Sequence, residues 1–290
     1  MNVALIICTV GRASILAQML PYLAKQSRMP DQLVIVATSA EDVPDLALAP
    51  ETEVLLAPKG LPIQRNVGLD RVLIDADIVV FIDDDYVPQR HMIANIITAF
   101  KRWPDVAGMT GHLLADGINT AGLSIAEAGD ILQTYDNQPI PEPEIIKSGL
   151  VGLYGCNMAF RADAIASCRF DEALPLYGWQ EDVDFAARLK GNLVRTNAFC
   201  GVHCGVKTGR ETGGRRLGYS QVSNVIYLIK KGSVPAGFGL RLILRNMTAN
   251  LAHAPIPEPW IDRRARVRGN WLAVWDVLCG RITPERILDL

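Results

Sequence analysis

The feature that most constrains the fold is an alternation of short, wholly apolar segments with amphipathic ones in the first 85 residues. VALIIC (3–8), QLVIVAT (32–38), EVLLA (53–57) and DIVVFIDDD (77–85) have the length and continuous hydrophobicity of strands buried on both faces. Helical patterns separate these segments, for example GLPIQRNVGLDRVL (60–73), which has a proline near its start. Such alternation predicts an α/β fold with a mainly parallel sheet flanked by helices.

The alternation continues beyond residue 90. HMIANIITAFKRW (91–103) predicts a helix and DVAGMTGHLL (105–114) a strand, whereas residues 115–148 show little periodicity and are expected to form a loop-rich insertion. GLVGLYGCNMAFRADAI (149–165) predicts a strand followed by a helix. The remaining segments predict a helix at 178–191, one or two strands at 193–205, and mainly helices from there to residue 290.

Composition limits the class of protein. A chain of 290 residues that is 49% hydrophobic is long and apolar enough for one large α/β domain with an appendage. Its apolar runs are much shorter than the roughly 20 residues of a membrane-spanning helix. Neither a basic flank nor a small-residue cleavage site accompanies the first apolar run, as a secretory signal would require. We therefore expect a cytoplasmic protein.

The charge is divided unevenly along the chain. Residues 205–290 hold 14 Lys/Arg against 6 Asp/Glu, a net charge of +8, which leaves −10 for residues 1–204. Three basic segments with tryptophans and leucines (218–232, 238–254, 263–282) either lie on a membrane surface or pack on the rest of the chain or on a second subunit. Both alternatives stay open. No recognition motif accompanies the basic residues, so nucleic-acid binding is not expected.

Three successive aspartates, Asp83, Asp84 and Asp85, end the fourth apolar segment. Like charges this close raise one another's pKa unless a cation lies among them. Alternation along a strand would turn Asp83 and Asp85 to one side and Asp84 to the other. Because ligands bind at the carboxyl ends of parallel strands, and Mg²⁺ and Mn²⁺ prefer carboxylate and phosphate oxygens, the aspartates predict a Mn²⁺ or Mg²⁺ site.

Five segments resemble, in the same order, motifs of the family 2 glycosyltransferases, which have the GT-A fold. They cover most of residues 3–205 and read IICTVGRASILAQMLPYLAKQS, GLPIQRNVGL, VVFIDDDYVP, GCNMAFRADAI and GWQEDVDFAARL. The resemblance implies a nucleotide-sugar-binding and catalytic domain at 1–210. It leaves a basic, mainly helical region at 211–290 that contacts the acceptor, a membrane surface at the inner face of the membrane, or the second subunit of a homodimer.

The resemblance also implies the reaction. One sugar is transferred, with inversion at the anomeric carbon, from a UDP- or GDP-type sugar to a hydroxyl of a saccharide or lipid-linked saccharide, with Mn²⁺ or Mg²⁺ as cofactor. Synthesis of bacterial surface polysaccharide or glycoconjugates is the implied process. The Q-x-x-R-W signature of processive synthases is absent, as are their membrane helices, so single-sugar addition is expected.

Roles for the metal site and the catalytic pair follow from the same resemblance. Asp85 is the direct metal ligand, Asp83 lies closer to the ribose, and His203 completes the metal site, unless it is an ordinary hydrogen-bonded strand histidine. Asp182 is the general base beside Glu181. One of this pair faces the cleft while the other pairs with a cation such as an arginine, the alternative being an acidic first turn favoured by the helix dipole.

The donor and acceptor residues complete the assignment. Trp179 stacks on an acceptor sugar or packs in the core. Lys207 and Arg210, in a glycine-rich stretch, belong to a flap over the phosphates or to a merely flexible loop. Arg65 is otherwise a surface arginine on a helix, and Asn157 otherwise a buried turn asparagine. The residues assigned to the donor are Thr9, Val10, Gly11, Arg12, Thr38, Arg65, Asn66, Asp83, Asp84 and Asn157.

One departure and several rival functions qualify this assignment. Relatives carry an acidic pair after the second strand that reads the base, but here the first acids are Glu41 and Asp42, so uracil recognition is not assigned. The alternatives are a transferase-like nucleotide-binding module without turnover, a metal-dependent phosphatase and a nucleotidyltransferase. The D-x-D position and the missing G-x-G-T-R loop disfavour the two enzymes. CGVHC (200–204) lacks the second cluster that a zinc site needs.

Overall fold

The computed structural model describes residues 1–45, 52–139, 141–207 and 213–290. Its strands are β1 Val3–Cys8, β2 Gln32–Ala37, β3 Thr52–Leu56, β4 Ile78–Asp83, β5 Tyr86–Pro88, β6 Val106–Asp116, β7 Ile145–Lys147, β8 Asn157–Arg161 and β9 Asn192–His203. Its α-helices are α1 Ala13–Leu23, α2 Leu61–Val72, α3 Met92–Arg102, α4 Ile125–Asp136, α5 Ala162–Ile165, α6 Glu181–Ala187, α7 Gly214–Lys231, α8 Ala236–His253 and α9 Arg263–Leu278.

The strands of the described residues form one sheet in the order β3-β2-β1-β4-β8-β6-β9-β5, with β7 paired to β9. The first four strands are parallel, β8 runs antiparallel between β4 and β6, and β6 and β9 are again parallel. The strand order reverses at β1, because β2 and β3 lie on one side of it and β4 on the other. Loops that follow β1 and β4 therefore open into a crevice at the carboxyl edge of the sheet.

Helices cover both faces of the sheet, which explains why the first strands are apolar throughout. On one face, Leu16 of α1 and Phe100 of α3 pack with Ile7 and Val80. On the other, Leu69 of α2 and Phe185 of α6 pack with neighbouring strand residues that include Ile6 and Phe81. Each of these fully buried side chains contributes about 1.5–3 kcal/mol to stability. The predicted α/β fold, with its mainly parallel sheet and helical carboxyl-terminal extension, is confirmed.

Two details differ from the sequence expectation. The 115–148 segment contains α4 and the short β7, although a loop-rich insertion was expected. Ser124 and Glu127 form a capping box at the start of α4, a signal that the sequence did contain. In addition, β4 ends at Asp83, so Asp84 and Asp85 lie in the turn before β5 and not on the strand.

The first carboxyl-terminal helix is attached to the body of the protein. Leu228 and Val234 pack with Leu174 in one buried cluster. The Lys231 ammonium lies 2.9 Å from a carboxylate oxygen of Asp184, whose side chain is fully buried. The basic segment that forms α7 therefore packs on the rest of the chain, which was one of the two alternatives for the basic segments. Helices α8 and α9 pack on α7. None of the described helices is long and apolar enough to cross a bilayer.

The α7 and α9 backbones touch at two glycines. A Cβ on Gly269 would lie 2.0 Å from the Arg215 carbonyl oxygen, and a Cβ on Gly218 would lie 2.1 Å from the Arg266 carbonyl oxygen. No rotamer change relieves a clash with backbone atoms. The crossing of these helices therefore requires glycine at both positions.

Gly269→Ala should consequently lower the free energy of unfolding by about 1–3 kcal/mol, the typical cost of overpacking. Gly237→Ala is the matched control, because it lies in α8 with nothing within 4 Å of an added Cβ, and it should stabilise by about 0.5–1 kcal/mol. Urea denaturation of both variants measures the difference. Equal midpoints for the two would contradict the close crossing.

Candidate active site

The loop after β1 and the turn after β4 are joined through Asp84. The Thr9 hydroxyl and an Arg12 guanidinium nitrogen each donate to one carboxylate oxygen of Asp84, both at 2.8 Å. Arg12 also donates to the Val206 carbonyl at 2.7 Å. Burial raises the pKa of Asp84 to about 6, and the adjacent Arg12 opposes that rise. Asp84 thus holds two loops together at the crevice.

Asp83 and Asp85 meet His203 at the end of β9, and Asp85 Oδ2 also lies 3.6 Å from the Arg12 nitrogen that binds Asp84. One candidate ligand atom from each of the three residues lies within 4.8 Å of the others. The His203 Nε2 atom is 3.6 Å from Asp83 Oδ2 and 3.5 Å from Asp85 Oδ1. The grouping agrees with the sequence prediction, but its cause differs, since Asp85 lies in a turn and not on a pleated strand.

The chemistry of this group fits a divalent cation. Asp85 Oδ1 is buried and has no hydrogen-bond partner within the described ranges, whereas Asp85 Oδ2 accepts a hydrogen bond from the Val206 N–H at 2.7 Å. A buried carboxylate oxygen left without a donor is costly unless a cation binds it. Two carboxylates and one imidazole form a donor set that suits Mn²⁺.

Asp116 orients the histidine, a contact that sequence reasoning missed. His203 Nδ1 lies 2.8 Å from Asp116 Oδ1, and the Tyr154 hydroxyl donates to Asp116 Oδ2 at 2.9 Å. Burial would raise the pKa of Asp116, but the hydrogen bond and charge of His203, with the Ile118 N–H, lower it below the ordinary value. A carboxylate on Nδ1 directs Nε2 toward Asp83 and Asp85.

The Glu181 and Asp182 pair begins α6 beside this group. Glu181 is paired with the buried Arg65, whose guanidinium also donates to the Gly155 carbonyl at 2.9 Å and lies 3.4 Å from Asp83 Oδ1. Burial raises the pKa of Glu181 to about 8, and Arg65 opposes that rise. Because Glu181 is the member held by an arginine, Asp182 is the candidate base.

Backbone donors hold the Asp182 carboxylate. The N–H groups of Gly155 and Val183 each donate to one of its oxygens, both at 2.8 Å. Burial raises the pKa of Asp182, and the charge of Arg65 acts in the opposite direction. Both oxygens keep a second lone pair, so the carboxylate is oriented and can still accept a proton.

A cavity of about 410 Å³ opens between these loops and α7, within the usual size range of small-molecule sites. Gln64 fixes its wall by donating to the carbonyls of Thr9 and Val36, both at 2.9 Å. Lys59 and Arg216 line the cavity. Sequence reasoning assigned a role to neither residue, although Arg216 ends the glycine-rich stretch considered as a flap. Its lining residues are Cys8, Thr9, Val10, Arg12, Lys59, Gly60, Leu61, Gln64, Asp83, Asp84, Leu176, Tyr177 and Arg216.

The acidic residue after β2 is turned inward. Asp42 accepts hydrogen bonds from the Gly11 N–H at 2.6 Å, from the Thr38 N–H and hydroxyl at 3.0 and 2.6 Å, and from the Ser39 N–H at 3.0 Å. Gly11 has a φ of 64°, in the left-handed region that favours glycine. Thr38 and Asp42 thus shape the loop around Gly11, and neither lines the cavity.

Four further residues predicted from the sequence do not reach this cavity or fall outside the described ranges. The Asn66 amide is used by Phe170 and Glu172. Asn157 is buried and accepts a hydrogen bond from the Thr110 hydroxyl at 2.5 Å, which corresponds to the buried alternative. Trp179 lines a smaller neighbouring cavity with Leu217 and Ile287, which shares Leu176, Tyr177 and Arg216 with the larger one. Arg210 lies outside the described residues.

Two exposed tyrosines near the Glu181 and Asp182 pair were not predicted from the sequence. Tyr154 precedes Gly155, which holds Asp182, and its ring meets the His203 imidazole edge to face. Tyr177 precedes Gly178 and lines the larger cavity. Lys207, the flap candidate, donates to the carbonyls of Gly117 and Ile118 at 3.1 and 2.7 Å, which places it over the loop that follows β6.

No family model and no curated protein matches the chain by sequence. Solved structures do match it. A mannosyltransferase, PcManGT from Pyrobaculum calidifontis in complex with GDP-Man and Mn²⁺, aligns over 95% of this chain and 87% of its own, with 16% identity and a TM-score of 0.55. S. aureus TarS 1–349 in complex with UDP-GlcNAc aligns over 89% and 74%, with 10% identity and a TM-score of 0.51.

The matches extend over nearly the whole chain. A further structure of S. aureus TarS aligns over 89% of this chain but 44% of its own length, with 12% identity and a TM-score of 0.50. The chain therefore has the GT-A fold of nucleotide-sugar glycosyltransferases, as the motif resemblance predicted. At these identities the likeness establishes the fold, and the assigned site residues stay predictions.

Asp116→Asn should weaken Mn²⁺ binding by about 10–100-fold, because the amide no longer attracts the Nδ1 proton that orients His203. Titration calorimetry with MnCl₂ measures the affinity. Asp130→Asn, an exposed change on α4, is the control and should bind as the unmodified protein does. Unchanged affinity in Asp116→Asn would exclude a positioning role for this carboxylate.

Proposed function

We propose that this protein is an inverting, metal-dependent glycosyltransferase that moves one sugar from a UDP- or GDP-type sugar to an acceptor hydroxyl. The observation that carries the proposal is a contact between the Asp83, Asp85 and His203 group and Arg65, the partner of Glu181, beside a cavity of the GT-A fold that Asp83 lines. PcManGT was solved with GDP-Man and Mn²⁺, and TarS 1–349 with UDP-GlcNAc, which supports a nucleotide-sugar donor.

The donor diphosphate would lie against the acidic turn, where Asp83, Asp85 and His203 are the residues that would hold Mn²⁺ or Mg²⁺. A cation bound there would offset the negative charge of the departing diphosphate. Arg216 and Lys59 line the same cavity and add positive charge from two other elements. Thr9 and Arg12 hold Asp84 by hydrogen bonds, and Arg12 also lies 3.6 Å from Asp85 Oδ2.

Asp182 takes the proton from the acceptor hydroxyl. Glu181 is already engaged by Arg65, and Gly155 and Val183 orient the Asp182 carboxylate. In an inverting displacement this base lies on the face of the sugar opposite the leaving diphosphate. A saccharide or lipid-linked saccharide is the proposed acceptor, and synthesis of a bacterial surface polysaccharide or glycoconjugate the proposed process.

The carboxyl-terminal region takes part in donor binding. Arg216 belongs to α7, and its Nε atom donates to the Leu290 carbonyl at 3.1 Å, which positions the guanidinium at the cavity. The division into a catalytic region at 1–210 and a helical region at 211–290 is therefore a proposal about the sequence alone, because residues from both regions line the cavity. The boundary itself lies outside the described residues.

Asp182→Asn should lower the transfer rate by about 10²–10⁴ while leaving donor affinity unchanged, because only the proton acceptor is lost. Release of nucleoside diphosphate from a panel of nucleotide sugars with Mn²⁺ measures the rate, and calorimetry measures donor binding. Asp163→Asn, an exposed change on α5, is the control. Full activity in Asp182→Asn would remove the base assignment, and donor binding without turnover in the unmodified protein would favour a binding module.

The pH dependence gives a second readout of the same residue. A base acts when deprotonated, so the rate should rise with pH through the pKa of Asp182. Because burial raises that pKa, the rate should rise at a higher pH than the ordinary pKa of an aspartate would give, which forms the acidic limb of the pH profile. Asp182→Asn should remove the limb from the pH profile of kcat/KM.

Arg216→Gln should weaken binding of GDP or UDP with Mn²⁺ by about 10–100-fold, the usual worth of a hydrogen bond to a charged group. Arg215→Gln changes the neighbouring, exposed residue of α7 and should leave the affinity unchanged. Calorimetric titration of both variants compares them. If the two variants bind equally well, α7 does not contribute to the donor site.

A further inference from the structure

The last helix presents a continuous exposed stripe of basic and large apolar side chains. Arg264, Arg268, Trp271, Trp275 and Leu278 follow one another at intervals of three or four residues. At about 100° per residue they fall within about 80° of the helix surface. Trp271, Trp275 and Leu278 are 57%, 59% and 76% exposed, so no described part of the chain covers them.

The preceding helix has a related surface. Leu240, Leu244 and Leu251 of α8 lie on one side of the helix and are 56%, 64% and 58% exposed. Arg241 and Arg245 are exposed next to these leucines. We call the exposed residues of the two helices the Arg-Trp-Leu surface; its members are Leu240, Arg241, Leu244, Arg245, Leu251, Arg264, Arg268, Trp271, Trp275 and Leu278.

The Arg-Trp-Leu surface carries positive charge without acidic neighbours on its own helices. Together, α8 and α9 contain six arginines and one acidic residue, Asp276. Asp276 is fully buried, where it accepts hydrogen bonds from Tyr219 and Arg286. In the α8–α9 loop, Glu258 is paired with Arg263, and Asp262 caps α9 by accepting a hydrogen bond from the Ala265 N–H.

We propose that the Arg-Trp-Leu surface docks peripherally on an anionic lipid bilayer. Arginines attract anionic headgroups, tryptophans reside at headgroup depth, and leucines enter the acyl boundary. A two-fold contact with a second copy of this chain would set the same arginines against one another, so a homodimer through this surface is disfavoured. The docking is independent of the proposed catalysis and needs no membrane-spanning helix.

Sedimentation with vesicles tests the proposal on the full chain. We expect binding to vesicles of equal phosphatidylcholine and phosphatidylglycerol and none to phosphatidylcholine alone. Arg264→Gln with Arg268→Gln should bind about 30-fold more weakly, from about 1 kcal/mol per arginine near an anionic surface. Trp271→Ala with Trp275→Ala should lose binding to a similar degree, and both double variants should keep the circular dichroism of the unmodified protein because the changed residues are exposed.

Matched controls carry the same changes on the sheet domain. Lys101→Gln with Arg102→Gln removes two exposed positive charges, and Leu56→Ala with Ile74→Ala removes two exposed apolar side chains. Both controls should bind anionic vesicles as the unmodified protein does. Failure of the unmodified protein to bind, equal binding to neutral vesicles, or equal loss in the controls would each overturn the proposal. A dimer in light scattering that Trp271→Ala with Trp275→Ala dissociates, without vesicle binding, would assign the surface to self-association instead.

Discussion

Buried negative charge at the carboxyl edge of the sheet is the constraint on which the rest of the structure depends. Five carboxylates converge there, and a buried carboxylate is costly unless a cation or hydrogen-bond donors meet it. Arg12 lies 2.8 Å from Asp84 and 3.6 Å from Asp85, Arg65 pairs with Glu181 and lies 3.4 Å from Asp83, and backbone N–H groups hold Asp182. Asp83, Asp85 and His203 form a group that fits a divalent cation, and among the described residues the Asp85 Oδ1 atom has no hydrogen-bond partner. The two arginines therefore link the proposed metal group to Asp84 on one side and to Glu181 on the other.

The carboxyl-terminal helices extend this organisation outward. Lys231 and the Leu174 cluster fix α7 to the sheet domain, and this attachment lets α7 bring Arg216 to the cavity. Helices α8 and α9 pack behind α7 through a glycine crossing and a buried network of Gln221, Asn250 and Asn270. The outer faces of α8 and α9 remain exposed. One region thus contributes to the proposed donor site and offers the proposed lipid-facing surface.

Much of the fold and part of the site could be predicted from local patterns. The continuous apolar runs located β1, β2, β3 and β4, because strands covered on both faces must be apolar throughout. The aspartate triplet and the Glu181 and Asp182 pair could be identified in the sequence because their acidic residues are adjacent in the chain. Helix α4 was not predicted, although its capping box is present in the sequence. The three prolines in residues 137–144 obscured the helical periodicity of the segment that precedes them.

The sequence by itself determined which segments are buried strands and which acids stand at their ends. Only the tertiary structure decided which partner each acid meets. Asp116 pairs with His203 because β6 lies parallel to β9, 87 residues away along the chain. Arg216 reaches the cavity because α7 packs back on the sheet domain. The side chains of Asn66 and Asn157 instead form hydrogen bonds outside the cavity. Local patterns encode burial and secondary structure, but contacts between distant elements depend on sheet order and helix packing, which no local pattern records.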